Sequence, residues 1–164
     1  MKDELADLAR RHGTPLLVID HDRIRQNYRT FTRSLPRVQT YYAVKANSNQ
    51  EIIKTLFEQG ASFDVASYNE FMQVYEYISH FEDKDKDFYI WDKIIFSNTI
   101  KDKETLSRIR RYKPLVTYDN EDELRKIKDY CDTAGLVLRL KVPDIGSQVE
   151  LSSKFGAEPG DAHS

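Results

Sequence analysis

One cysteine, Cys131, is all the chain carries, so no internal disulfide can form and a reducing cytoplasm is the expected setting. It closes the helical-looking stretch Leu124 to Cys131, where packing is a far commoner role for a thiol than catalysis. No apolar run approaches the roughly 20 residues needed to span a bilayer. Met1-Lys2-Asp3-Glu4-Leu5 also lacks the apolar core of a secretory leader. The four histidines, His12, His21, His80 and His163, are scattered, and no Cys/His cluster has metal-ligand spacing. Neither G-x-G-x-x-G nor G-x-x-x-x-G-K-S/T occurs, which withdraws support from a dinucleotide or P-loop site. With 25 basic and 27 acidic residues the net charge is −2, giving no overall pull toward nucleic acid or an anionic membrane.

What is present suits a soluble globular chain: 164 residues, 40% hydrophobic and 32% charged, enough to bury a core in one domain. Leu5 to His12 reads as a helix broken by Gly13-Thr14-Pro15, and Leu16-Leu17-Val18-Ile19 as a short buried strand. Asp20 caps a helix from about Asp22 to Ser34. Strands are then expected at Thr40–Ala46, Ser62–Ala66, Ile94–Ser97, Leu115–Tyr118 and Leu136–Val142. Helices are expected at Gln50–Glu58, Glu70–Tyr77, Lys103–Tyr112 and Glu121–Cys131. The charged run within His80 to Asp92 reads as a solvated surface insertion. Short apolar strands alternating with amphipathic helices imply an α/β fold of parallel βα units. A doubly wound sheet could close with five strands, whereas a barrel needs eight in about 250 residues, so the count alone leaves both open. Glu158-Pro159-Gly160-Asp161 looks like the start of a further helix, and a chain that stops there is expected to be truncated.

Lys45 is the first candidate for chemistry, at the end of an otherwise apolar strand. In parallel α/β folds catalytic groups gather at the C-terminal ends of strands. A lysine held there out of water becomes a nucleophilic amine able to form a Schiff base with an aldehyde. The alternative is a strand-end lysine reaching solvent, and spacing alone favours that alternative. Asp64 and Arg139 likewise interrupt apolar strands, and the three could converge on one cleft and balance each other's charge. They could equally form a structural ion pair that adds little stability. Glu70 opens a helix, where a carboxylate complements the dipole.

From Tyr42-Ala43-Val44-Lys45-Ala46-Asn47 onward the chain resembles the fold-type III pyridoxal-phosphate enzymes: ornithine, lysine, arginine and diaminopimelate decarboxylases and alanine racemase. Gly13 to Asp20 looks like that family's opening strand, and Gly60 to Ser67 with Glu70 like its second barrel strand and following helix. Ile94-Ile95-Phe96-Ser97-Asn98-Thr99-Ile100-Lys101 resembles an ornithine decarboxylase segment that usually reads I-x-Y/F-A-N-P-x-K. Leu138-Arg139-Leu140 and Leu151-Ser152-Ser153-Lys154-Phe155-Gly156 resemble the next stretch of that group. The resemblance implies residues 1–164 are the first five strands of an alanine-racemase-like (β/α)8 TIM-type barrel, with the C-terminal β domain absent. It implies pyridoxal 5'-phosphate bound through Lys45, with Asp64, Glu70 and Arg139 around the cofactor, orienting Lys45 and balancing charge. It also implies a homodimer with Lys154 and Gly156 toward the interface, and decarboxylation of a basic amino acid, ornithine to putrescine first among them.

Lysine, arginine or diaminopimelate decarboxylation and amino-acid racemization are alternatives within the fold. A catalytically silent regulatory relative, and a small cofactor-binding barrel without decarboxylase activity, are alternatives of other classes. Thr99 and Ile100 depart from the usual Pro and Cys, and the insertion around Asp83 to Asp87 is longer than in many relatives. The later family elements, including the phosphate loop and the acidic partner of the ring nitrogen, are not in this sequence. Expressed alone, the 164 residues are therefore expected to be inactive and poorly folded; decarboxylase turnover and a cooperative melt are the measurements that check this.

Overall fold

Helix starts are written locally into this chain. Asp20, Asn49, Ser67, Asp102 and Asn120 each accept a hydrogen bond from a backbone N–H two or three residues on, satisfying donors that a helix leaves free. The computed structural model describes residues 2–143, 146 and 151–160; Asp161 and His163 lie outside the described residues. Helix α1 (Lys2–His12) and α2 (His21–Ser34) precede β1 (Tyr41–Ala43), and a 3-10 turn (Val44–Ala46) leads to α3 (Gln50–Glu58). Next come β2 (Ser62–Val65), α4 (Tyr68–Ile78), α5 (Asp83–Lys93) and β3 (Ile94–Phe96). The series continues with α6 (Lys103–Ile109), a 3-10 turn (Arg110–Tyr112), β4 (Leu115–Tyr118), α7 (Glu121–Tyr130) and β5 (Gly135–Leu138). A last 3-10 turn covers Leu151–Ser153.

All four strand pairings are parallel and follow chain order, β1-β2-β3-β4-β5. A doubly wound sheet reverses its order at a switch point; this sheet never does, so it is a sector of a barrel wall. The helices pack each on the next, α2 on α3, α3 on α4, α4 on α6 and α6 on α7, as an outer layer. Phe63, Val65, Ile94, Phe96 and Val116 point into that layer and are fully buried, against Ile53, Phe71, Val74, Leu106 and Ile109. The opposite face carries Ala43, Asp64, Ile95, Leu115 and Gly135, which are in register across the sheet and only half-buried. At the lower end of this inner face the Trp91 ring and Leu115 sit so close to Gly135 that a Cβ there would meet ring atoms at 2.5 Å.

Several expectations are corrected. Leu16–Ile19 is not a buried strand: Leu17 is 84% exposed, no strand pairs with the segment, and only Ile19 reaches the core. An apolar run without a partner strand has no ladder to join. The first sheet strand stops at Ala43, because Val44 tucks into the core and starts the 3-10 turn that Asn47 closes onto the Val44 carbonyl. The insertion is helical, since Ile90 is 1% exposed and Tyr89 packs between Phe57 and Phe81, anchoring what the charged run alone made look solvated. The fifth strand ends at Leu138, and its continuation is a single bridge from Leu140 to Ala157.

Cys131 is fully buried after α7, and burial, with Asp132 adding to it, pushes its thiol up to about 11. At pH 8 only about one thiol in a thousand is then the reactive thiolate. Native protein is expected to react with a thiol reagent at least about 100-fold more slowly than urea-unfolded protein; equal rates in the two states would show that this core is not formed.

Candidate active site

Parallel pairing brings every strand's C-terminal end to one rim, with the starts of α3, α4, α6 and α7 following close behind. That places the positive ends of several helices at the same rim, a setting that favours an anionic ligand.

Lys45 stands in the 3-10 turn that leaves β1, at the sheet's edge. It is exposed, against the expectation of an amine held out of water, because no strand lies on the far side of β1. Among the described residues it makes no hydrogen bond or ion pair, so its amine is free. Asp64, on the neighbouring β2, pairs through its backbone with Ala43, two residues before Lys45. Its carboxylate is half-buried and accepts a hydrogen bond from the Ser97 hydroxyl just past β3. The inner-face register runs from Asp64 through Ile95 and Leu115 to Gly135. By strand alternation Val137 and Arg139 follow on that face, and the Arg139 N–H extends the ladder to the Tyr118 carbonyl at 2.8 Å.

The Arg139 guanidinium lies over the Phe155 ring, 5.1 Å from its centroid, and forms no ion pair among the described residues. No hydrogen bond or ion pair joins Lys45, Asp64 and Arg139 among the described residues. They share a rim, and they do not neutralise one another by contact. Glu70 has a different task from its dipole alone. Its carboxylate accepts from the Ala66 N–H at 2.7 Å while Ser67 accepts from the Glu70 N–H at 3.2 Å, a reciprocal clamp on the β2–α4 turn. Lys154 is exposed. Gly156 is half-buried, with its N–H on Asp119 at 2.9 Å and the backbone of Lys141 2.7 Å from where a Cβ would stand. Its φ of +96° also demands glycine.

The buried lysine of this structure is Lys101. Its side chain is wholly buried, and its ammonium donates to the Thr117 carbonyl at 2.6 Å and the Asn98 carbonyl at 2.9 Å. It pairs with Glu123 at 3.0 Å, and the same Glu123 oxygen accepts the Lys101 N–H. Burial holds the ammonium below the usual lysine range despite that partner. The pair locks the β3–α6 turn onto the start of α7. The sequence marked it only as the last residue of the resembling segment Ile94 to Lys101, and its burial was hidden because Lys101-Asp102-Lys103 has the look of a solvated helix start. Asn98 completes this turn through its amide N–H on the Ile100 carbonyl at 2.7 Å, and its buried side-chain oxygen has no partner among the described residues.

Residues 21–163 match the family described as pyridoxal-dependent decarboxylase, pyridoxal binding domain. A lysine/ornithine decarboxylase of Selenomonas ruminantium is 32% identical over 94% of this chain and 37% of its own length. Antizyme inhibitor 2 of Xenopus laevis is 36% identical over 83% of this chain and 28% of its own. Among solved structures, the arginine decarboxylase of Paramecium bursaria Chlorella virus, bound to agmatine, superposes with a TM-score of 0.82 at 26% identity, over 98% of this chain and 42% of that one. The chain thus spans well under half the length of these relatives.

The buried pair predicts an asymmetry in stability. Glu123→Gln strands a buried ammonium and is expected to cost on the order of 3–5 kcal/mol. Lys101→Met combined with Glu123→Leu removes both charges and is expected to recover most of that loss, as read from urea midpoints.

Proposed function

The chain belongs to the pyridoxal-dependent decarboxylase family, as its pyridoxal-binding domain, and from that premise we propose that it is the cofactor-bearing part of a basic-amino-acid decarboxylase. Lys45 is the residue that carries pyridoxal phosphate, and ornithine is the first-choice substrate. The observation that carries this reading is the amine of Lys45, exposed and without a partner among the described residues at the C-terminal rim of β1, one strand from a half-buried carboxylate.

Pyridoxal phosphate suits what this rim offers: an accessible primary amine for its aldehyde, the Asp64 carboxylate and the Arg139 guanidinium. When bound, the cofactor supplies a conjugated ring that accepts the electron pair left behind as CO₂ departs. The chain's own residues bind and orient. Lys45 would provide the amine that holds the cofactor, and its Nζ, when free, could take up a proton. Asp64 orients that amine from the adjacent strand. Glu70 acts one step back, holding the turn that follows Asp64. Arg139 places positive charge across the rim from Asp64, with Phe155 fixing its plane.

The homodimer, with Lys154 and Gly156 near its interface, and cytoplasmic residence belong to this same reading. The exposed Lys154 side chain and the lone buried cysteine support them. No helix among the described residues is long and apolar enough to cross a membrane. Division of residues 1–164 as a partial barrel domain is likewise part of the proposal; five parallel strands in unbroken order support it.

A second reading has one observation in its favour. A relative named for inhibiting antizyme is as similar as those named for decarboxylation, so a regulatory decarboxylase-like protein is the alternative. One experiment separates the two. In the longer protein that contains these residues, incubation with pyridoxal phosphate, reduction with borohydride and peptide mapping is expected to label Lys45, and Lys45→Ala is expected to abolish the visible absorbance of the bound cofactor. Release of CO₂ from ornithine, lysine or arginine by the labelled-competent protein then supports the enzyme. Protein that loads no cofactor points to the regulatory reading.

A further inference from the structure

We propose that Ser97 is a positioning residue that acts on Lys45 and its cofactor through Asp64; the inference rests on the reading of Lys45 given above. Asp64 stands on the inner face between Ala43 and Ile95, its register partners on β1 and β3. Neither neighbour has a side chain able to hydrogen-bond, so nothing in the strands themselves fixes the carboxylate. Ser97, two residues beyond Ile95 on the same face, is the side chain that does, donating its hydroxyl to Asp64 Oδ1.

The contact has three physical consequences. A serine hydroxyl on a short side chain loses little rotamer freedom, so it can hold a carboxylate at small entropic cost. It occupies one oxygen and leaves Oδ2 to accept a further donor, which on this rim is the amine of Lys45 or a group of the cofactor. Ser97 is also firmly placed itself. It lies between Phe96, fully buried, and the Asn98–Lys101 turn, which is pinned by the buried Lys101–Glu123 pair. The rigidity of that turn therefore reaches Asp64 through a single hydroxyl.

The test is a double-mutant cycle on the longer holoprotein that contains these residues, read by absorbance titration with pyridoxal phosphate. Ser97→Ala is expected to weaken cofactor affinity about tenfold and to shift the pH dependence of the visible band, as befits loss of a donor to a charged group. In an Asp64→Asn background the same change is expected to have no further effect on either readout. Ser97→Thr, which keeps the hydroxyl, is expected to restore both. An Ser97→Ala protein with unchanged affinity and pH profile, or a loss that adds in full to that of Asp64→Asn, overturns the inference. Should Ser97→Ala fold too poorly to titrate, Ser97→Thr decides: retained affinity supports the role and lost affinity overturns it. Parent protein that loads no cofactor overturns the reading of Lys45 and this inference together. Parent protein that loads normally beside an indifferent Ser97→Ala overturns this inference alone.

Discussion

Everything in this chain follows from parallel pairing kept in strict sequence order. A strand that must lie beside its predecessor and run the same way obliges the chain to return along one side each time, and right-handed crossovers put those returns on a single face. The helices therefore accumulate as one layer, and the sheet acquires a dry side and a wet side. Phe63, Val65 and Phe96 belong to the dry side and Asp64 to the wet one, although they alternate along the same short strands. No further instruction is needed to bring a lysine, an aspartate and an arginine from positions 45, 64 and 139 to one rim.

The two lysines of that rim show how place decides chemistry. Lys101 is sealed in, with carbonyls and Glu123 consuming its donors, so its charge serves the turn that holds Ser97 and Asn98. Lys45 is exposed, and among the described residues its donors are unused. Burial, which makes an ammonium costly, marks the structural lysine here, and accessibility marks the candidate for chemistry. The expectation that the reactive amine would be the buried one inverted this relation. Its physical ground, an amine held out of water, is not supplied at the edge position of β1.

Much of the fold was legible from residues alone. Strand 115–118 and helix 50–58 have the expected bounds, because an apolar run between turn signals and an Asn cap are local facts. What failed depended on distant partners. Leu16–Ile19 has the composition of a strand but lacks a neighbour to pair with, and the run around Asp83–Asp87 has the composition of a loop but gains a helix from Tyr89 and Ile90 downstream. The site divided the same way. Asp64 and Arg139 announced themselves as charges inside apolar strands, whereas Ser97 is an ordinary residue until β2 and β3 are laid in register. The resemblance, not the spacing, singled out Glu70, and the structure gives it a clamp on the Ala66 N–H.

The close fit of Trp91 on Gly135 has a practical corollary. Trp91 is the chain's sole tryptophan, and it lies at the start of β5, at the rim opposite Lys45. Intrinsic emission from this protein is therefore a gauge of whether α5 stays seated against the fifth strand. A chromophore at the other rim would report a separate event, so the two ends of the sheet can be watched independently by choosing the wavelength.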